Sequence, residues 1–325
     1  MKRGTSGLCG VLAIDKPKGI TSHGVVDRVR RITGERRVGH AGTLDPMATG
    51  LLLVGVGAAT RLSDYLSGHD KAYRARIVFG VATDTDDAEG RVSTFFSNSE
   101  PGKGLEVLDG LDADGVLQGL VGPLEQLPPA YSAIKKNGVV AYKAAREGKP
   151  LELERRHVNI EAAKLVSTGV QNVALDDGEG GTFSAELPYW DVDFEVSKGT
   201  YIRSIARDLG QQLGCGAHLG ALRRTAIADL EIDAAVTLDE LEQRHEQGLD
   251  LPWCDPTKLL GFPVLELDEQ QARAVSNGRE LSEDADVSSE HVACVSGNRL
   301  LAVYACESGR LKPATVIPGG VFGVA

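Results

Sequence analysis

The chain has 325 residues, 42% of them apolar and 25% charged, a balance that suits a globular protein of about two domains and excludes a disordered or fibrous chain. The net charge of −11 excludes a uniformly basic nucleic-acid binder, and five scattered cysteines without a Cys-x-x-Cys pair exclude a disulfide scaffold and point to reduced thiols in a cytoplasm. No signal-peptide pattern opens the chain, and no run reaches the roughly 18 apolar residues of a membrane span.

Residues 8–14 read as a short apolar strand. Thr21 or Ser22 is a good helix N-cap, Val25, Val26, Val29 and Ile32 follow at helical spacing, and Gly34 is a stop. Arg28, Arg30 and Arg31 fall mainly off that stripe and, with Arg36 and Arg37, form a basic edge suited to phosphates. A plain solvated helix face would look the same. The charge asymmetry points the same way. Through residue 80 thirteen Lys and Arg stand against six Asp and Glu, whereas the rest carries twenty-two against forty.

Residues 39–50, Gly-His-Ala-Gly-Thr-Leu-Asp-Pro-Met-Ala-Thr-Gly, contain three glycines, two threonines and a proline, which break regular structure. Pro46 biases Asp45 away from helical torsions. The apolar run 51–56 that follows reads as a buried strand. Asp45 is therefore expected on an ordered loop anchored by the core, where scaffolds hold reactive groups. An Asp-Pro turn without chemistry is the alternative.

Residues 73–79 alternate as a strand does, and 84–90 are acidic and turn-like. Residues 93–104 read as an exposed loop and 115–121 as the start of a short helix. Residues 127–136 are basic and proline-marked and lead into a helix over 140–146. Tyr131, Lys135, Lys136, Tyr142 and Lys143 mix aromatics and cations as looped RNA requires. Strands are expected at 183–187 and 192–196. Arg203 lies at a strand-to-helix handover, with Ile205, Leu209 and Leu213 on one stripe and Gly214 as terminator. Cys215 and His218 alone do not make a zinc site, so no metal is expected. Pro252 and Pro256 bracket a linker. Beyond it come a short helix at 270–277, an acidic stretch at 283–290, and strands at 292–295, 300–304 and 315–317. No Walker-type loop or Gly-x-Gly-x-x-Gly fingerprint is present.

The 39–50 motif resembles the catalytic motif of the TruB family of pseudouridine synthases. Gly-Val-Leu-Ala-Ile-Asp-Lys-Pro-Lys-Gly at 10–19, Lys-Ala-Tyr-Arg at 71–74, Thr-Asp-Thr-Asp-Asp-Ala-Glu-Gly at 83–90, Ser-Lys-Gly-Thr-Tyr-Ile-Arg at 197–203 and Leu-Arg-Arg-Thr at 222–225 match in the family's order. The resemblance implies an α+β fold. Its mixed, largely antiparallel sheet with flanking helices would occupy residues 1–255, with an RNA-gripping thumb at about 123–155. Residues 256–325 would form a small PUA-like β-barrel.

It further implies a monomeric, cytoplasmic isomerase that turns uridine 55 in the T loop of tRNA into pseudouridine by base flipping. The reaction has no redox step and no energy input, so no cofactor is expected. Asp45 would assist the opening of the glycosidic bond, and Arg203 would supply the charge that keeps a carboxylate ionised in a dry pocket. Tyr73 would stack on the flipped base, or move a proton through its hydroxyl. His40 would fill the vacated space or hold the displaced base, and Tyr201 and Leu222 would line the pocket. Lys16 and Pro17 read as an ordered turn supporting the catalytic loop, and Lys16 is also counted, with the phosphate candidate Lys71, among the substrate contacts. Arg36, Arg37, Lys135, Lys136, Lys143, Arg223 and Arg224 would meet the RNA. A non-catalytic tRNA-folding protein and a base-excising glycosidase are the two rival readings.

Overall fold

A computed structural model describes residues 6–96, 105–136, 138–281, 289–307 and 310–325. The fold is α+β. Its contacts divide the chain into two compact units, Met1–His69 with Ala226–Ala325, and Asp70–Thr225. Among the described residues no helix is long and apolar enough to cross a membrane.

In the first unit the strand Gly10–Lys16 lies between Thr49–Val56 and the short strand Trp253–Cys254, antiparallel to both. Val38–Ala41 also pairs with Thr49–Val56, in the register His40 to Val54. Leu12, Ile14 and Leu51 to Val54 are wholly buried. A strand covered on both faces reads as an unbroken apolar run rather than an alternation. The helix Ser22–Thr33 buries Val25, Val26, Val29 and Ile32. Thr21 is its N-cap, its hydroxyl accepting from Gly24 N, and Gly34 closes it with φ 64°. A second helix, Leu238–Glu246, begins with a capping box between Thr237 and Glu240 and meets the first through Arg28, which pairs with Asp239 and Glu242.

Gly10 faces the Trp253 ring. A Cβ there would stand 2.2 Å from ring atom Cε3. Gly10→Ala is therefore expected to lower stability by about 1–3 kcal/mol through overpacking. A fall in the urea midpoint at unchanged m would register it.

The last seventy residues form a four-stranded sheet in the order Val264–Glu266, His291–Ser296, Arg299–Glu307, Arg310–Phe322, of which the first pair is parallel. The helix Glu269–Ser276 packs against it, and Val275, Val292, Cys294, Ala302, Tyr304 and Leu311 share a core. Where the resemblance implies a closed barrel, the described residues give an open run of strands. The last strand does not return to the first: Phe322 N donates to Cys9 O at 2.9 Å. Ala293, Val303 and Val321 accordingly share a core with Cys9, Val11, Leu53 and Leu62. The compact units thus divide the chain at other places than residue 255. The acidic stretch falls largely outside the described residues.

In the second unit Lys71–Phe79, Thr182–Val196, Arg156–Asp176 and Gly122–Gln126 form successive antiparallel pairs. The expected strands at 183–187 and 192–196 are one strand. Its hairpin partner, Arg156–Asp176, is unmarked in the sequence because bulges after Ile160 and Leu165 break its alternation. The short helix runs over Ala113–Gln118, and residues 93–95 belong to the strand Val92–Phe95 rather than a loop. The rest of that expected loop, 97–104, lies outside the described residues. The helix Ile202–Leu213 ends at Gly214 with φ 74° and buries Ile205 and Leu209.

Candidate active site

Asp45 lies on the loop between the paired strands Val38–Ala41 and Thr49–Val56. The loop is fixed through its backbone on both sides of the carboxylate. The Ser22 hydroxyl donates to Leu44 O at 2.9 Å and accepts from Leu44 N at 2.8 Å. Pro46 O accepts from Gly19 N at 2.8 Å and from Lys16 Nζ at 3.2 Å. Leu44, Met47 and Ala48 are buried beneath it, while Asp45 is half-buried. His40 stands on the strand that enters the loop, although its glycine-flanked sequence reads as irregular.

Lys16 has the structural role read for the Lys-Pro turn rather than that of a substrate contact. It is 0% exposed, and Nζ also donates to Pro17 O at 3.0 Å and Ile20 O at 2.7 Å. The ammonium thus ties the Lys-Pro turn to the loop carbonyl next to Asp45. Lys16→Met would strip the carbonyls of Pro17, Ile20 and Pro46 of a charged donor, at a cost of about 1–3 kcal/mol. Urea unfolding that matches wild type would contradict this role.

In the second unit Tyr73 is buried on Lys71–Phe79, opposite Phe194. Lys71 lies two residues before it, on the same face. Burial, reinforced by the charge of Arg224, pulls the Lys71 ammonium down to about 8. Arg203 is the second residue of the helix Ile202–Leu213 and is buried. Its Nη1 donates to Thr85 O at 3.1 Å and its Nη2 to Tyr131 O at 2.9 Å. Asp87 Oδ2 lies 3.6 Å from Nη1. Asp87 is itself buried and accepts from Thr85 Oγ1 at 2.6 Å and Glu89 N at 3.0 Å. This turn holds a guanidinium that neutralises a buried acid and keeps one orientation.

Two of these groups were not singled out from the sequence. Asp87 stood in a motif full of acids. Gln126 is buried, and its amide brackets the half-buried Tyr201, donating to Tyr201 O at 3.0 Å and accepting from Tyr201 N at 2.8 Å. Leu222 and Arg223 are half-buried on Ala217–Ile227. Arg224, expected to meet RNA, is 1% exposed and reaches no solvent. His218 is buried and holds Val81 O through Nδ1 at 2.9 Å, and burial pulls it below the usual imidazole range.

The cations expected to meet RNA are otherwise at the surface. Arg36 and Arg37 are exposed after the first helix, with Arg37 Nε on Thr60 Oγ1 at 2.9 Å. Lys135 and Lys143 are exposed, on the small hairpin Lys135–Lys136 with Val139–Val140 and on the helix Ala141–Arg146 that follows it. Lys136 donates to Glu152 O at 2.8 Å and lies 3.4 Å from Glu154.

One solved chain, from the "Crystal Structure of a Cbf5-Nop10-Gar1 Complex", shares the fold at a TM-score of 0.66 and 22% identity over 95% of this chain and 85% of that one. Residues 30–202 match the family model described as TruB family pseudouridylate synthase (N terminal domain). Residues 203–251 match that described as tRNA pseudouridylate synthase B C-terminal domain. Fold and family models together define a pseudouridylate synthase. Within that class, the chain belongs to the TruB family. The tRNA pseudouridine synthase B of Thermobifida fusca is 42% identical over 315 residues, 95% of this chain and 99% of that protein. That of Mycobacterium tuberculosis (strain ATCC 25618 / H37Rv) is 40% identical over 316 residues, 95% and 98%.

Proposed function

We propose that the protein isomerises uridine 55 in the T loop of tRNA to pseudouridine, acting as a cytoplasmic monomer without a cofactor. The observation that carries this reading is Asp45, the one acid of a loop pinned at Leu44 and at Pro46. Relatives of matching length named tRNA pseudouridine synthase B supply the substrate class.

The reaction breaks the bond from N1 of uracil to the sugar, turns the base, and joins its C5 to the same sugar carbon. The proton lost from C5 is balanced by one gained at N1. Asp45 assists the first step by covalent or electrostatic participation of its carboxylate. Arg203 supplies the fixed positive charge such a carboxylate requires. The reacting carbon is unreachable in a stacked helix, so the nucleotide is flipped. Tyr73 stacks on the base, His40 takes its former space, and Tyr201 and Leu222 line the pocket. Lys71 meets a phosphate, which would favour its charged form again. Arg36, Arg37, Lys135, Lys136, Lys143 and Arg223 meet the RNA backbone and loop.

The test is tritium release from unmodified tRNA labelled at uridine C5, followed by mapping of the product. One tritium released per tRNA, at position 55 and with the base retained, is the expected result. Release together with free uracil would make the protein a glycosidase. Tight binding without release would make it an RNA-folding protein.

A further inference from the structure

Beside Arg203 and Asp87 lies a second arginine–aspartate pair, one helical turn along and one residue back. Arg207 Nη1 donates to Asp86 Oδ2 at 3.0 Å, with the two side chains 17% and 14% exposed. The same guanidinium donates through Nη2 to Leu127 O at 2.9 Å and through Nε to Asp208 Oδ1 at 2.8 Å. Ser204 Oγ donates to the same Leu127 carbonyl at 2.9 Å. Arg207 therefore holds the start of the segment 127–131, whose end, Tyr131 O, is held by Arg203.

Asp86 has a second peculiarity. Its φ is 62°, in the left-handed region, which aspartate enters more readily than most residues with a side chain and glycine more readily still. Its backbone is held by Asp86 N to Thr83 O at 3.3 Å and by Leu219 N to Asp86 O at 3.0 Å. Its side chain is held by Arg207. The left-handed residue turns the chain so that the next carboxylate, Asp87, faces Arg203.

We infer that Arg207 and Asp86 form a positioning couple, which fixes both the acidic turn and the segment 127–131 and so sets the place of the Arg203 guanidinium. The inference rests on the function proposed above, in which Arg203 serves the chemical step. Arg207 is a positioning residue: three of its hydrogen bonds go to named protein acceptors, and its work passes through Asp86, Asp87 and Leu127. It should therefore affect turnover rather than RNA capture.

The experiment compares wild type, Arg207→Gln, Asp86→Asn, the double variant, Arg207→Lys and Asp86→Gly in the tritium-release assay, with Tm and tRNA affinity measured on each. Arg207→Gln and Asp86→Asn should each lower kcat about ten- to a hundred-fold at nearly constant KM, the scale of a small misplacement of a reacting group. The double variant should be no worse than either single one. Lysine at 207 should restore only part of kcat, because one ammonium cannot span three acceptors so spread. Glycine at 86 relieves the left-handed strain but lacks the carboxylate. It should have a Tm no lower than that of Asp86→Asn and still lose kcat, which separates positioning from mere folding. A raised KM at unchanged kcat would make Arg207 an RNA contact and overturn the inference. Additive losses in the double variant, or full activity of Asp86→Gly, would do the same. An inactive wild type would remove the proposed function and this inference with it, whereas an active wild type with unchanged variants would remove the inference alone.

Discussion

Asp45→Asn is expected to abolish tritium release, by roughly four orders of magnitude or more, the scale seen when a reacting group is removed. Asparagine has nearly the same shape. Contacts through Leu44 and Pro46 help to fix the loop, and these survive the change. Ala48 N still finds the residue 45 carbonyl, at 3.1 Å in the wild type. Asp45 is half-buried and asparagine keeps most of its shape, so the variant should still fold cooperatively, which urea unfolding would check. Removal of a negative charge close to bound phosphates should leave tRNA affinity unchanged or slightly higher. The informative result is thus a dead enzyme that still folds and binds. An asparagine variant with measurable turnover near wild type would remove Asp45 from the chemistry.

Arg203→Lys is expected to be the next most damaging change, although it preserves charge. The guanidinium divides its donors between Thr85 O and Tyr131 O while lying 3.6 Å from Asp87. A lysine ammonium is a single point on a flexible stem and cannot serve both carbonyls and the acid in that geometry. At least one half-buried carbonyl loses its charged donor, a cost of about 1–3 kcal/mol. The displaced charge should lower the single-turnover rate about a hundred- to a thousand-fold, as for loss of a preorganised electrostatic group. Single-turnover kinetics and urea unfolding measured together would separate the two effects. Wild-type turnover in Arg203→Lys would mean that charge alone suffices and the fork geometry does not.

The parts of this molecule that were legible in the sequence are those whose signals are local. The helix Ser22–Thr33 carries its stripe, its N-cap threonine and its terminal glycine within fourteen residues. The strand Thr49–Val56 is an unbroken apolar run, and the Asp45 loop announces itself by its glycines and proline. The strand Arg156–Asp176 was not legible, because two bulges put its buried residues out of phase. The helix Leu238–Glu246 did carry a usable signal, Thr237 three residues before Glu240, followed by leucines.

The site divides in the same way. Asp45 could be read from its neighbours. The partners of Arg203 could not, since they include two backbone carbonyls from distant parts of the chain, which leave no trace in residue type. The burial of Lys16 and Arg224 was equally hidden. Charged residues lie at the surface by default, and only the surrounding fold reveals the exception.

The discontinuity of the first unit bears on how the chain is made. Its opening strands, with Val11 and Leu53 among them, share a core with Val303 and Val321. During synthesis these apolar strands leave the ribosome long before their partners exist. The second unit, Asp70–Thr225, is one continuous stretch and can complete its contacts first. The contacts of the first unit wait for residues about three hundred positions further on, as when Phe322 meets Cys9. A nascent chain stalled once residue 225 has cleared the exit tunnel should therefore protect the second unit from protease while the opening strands of the first remain open to cleavage and to chaperones.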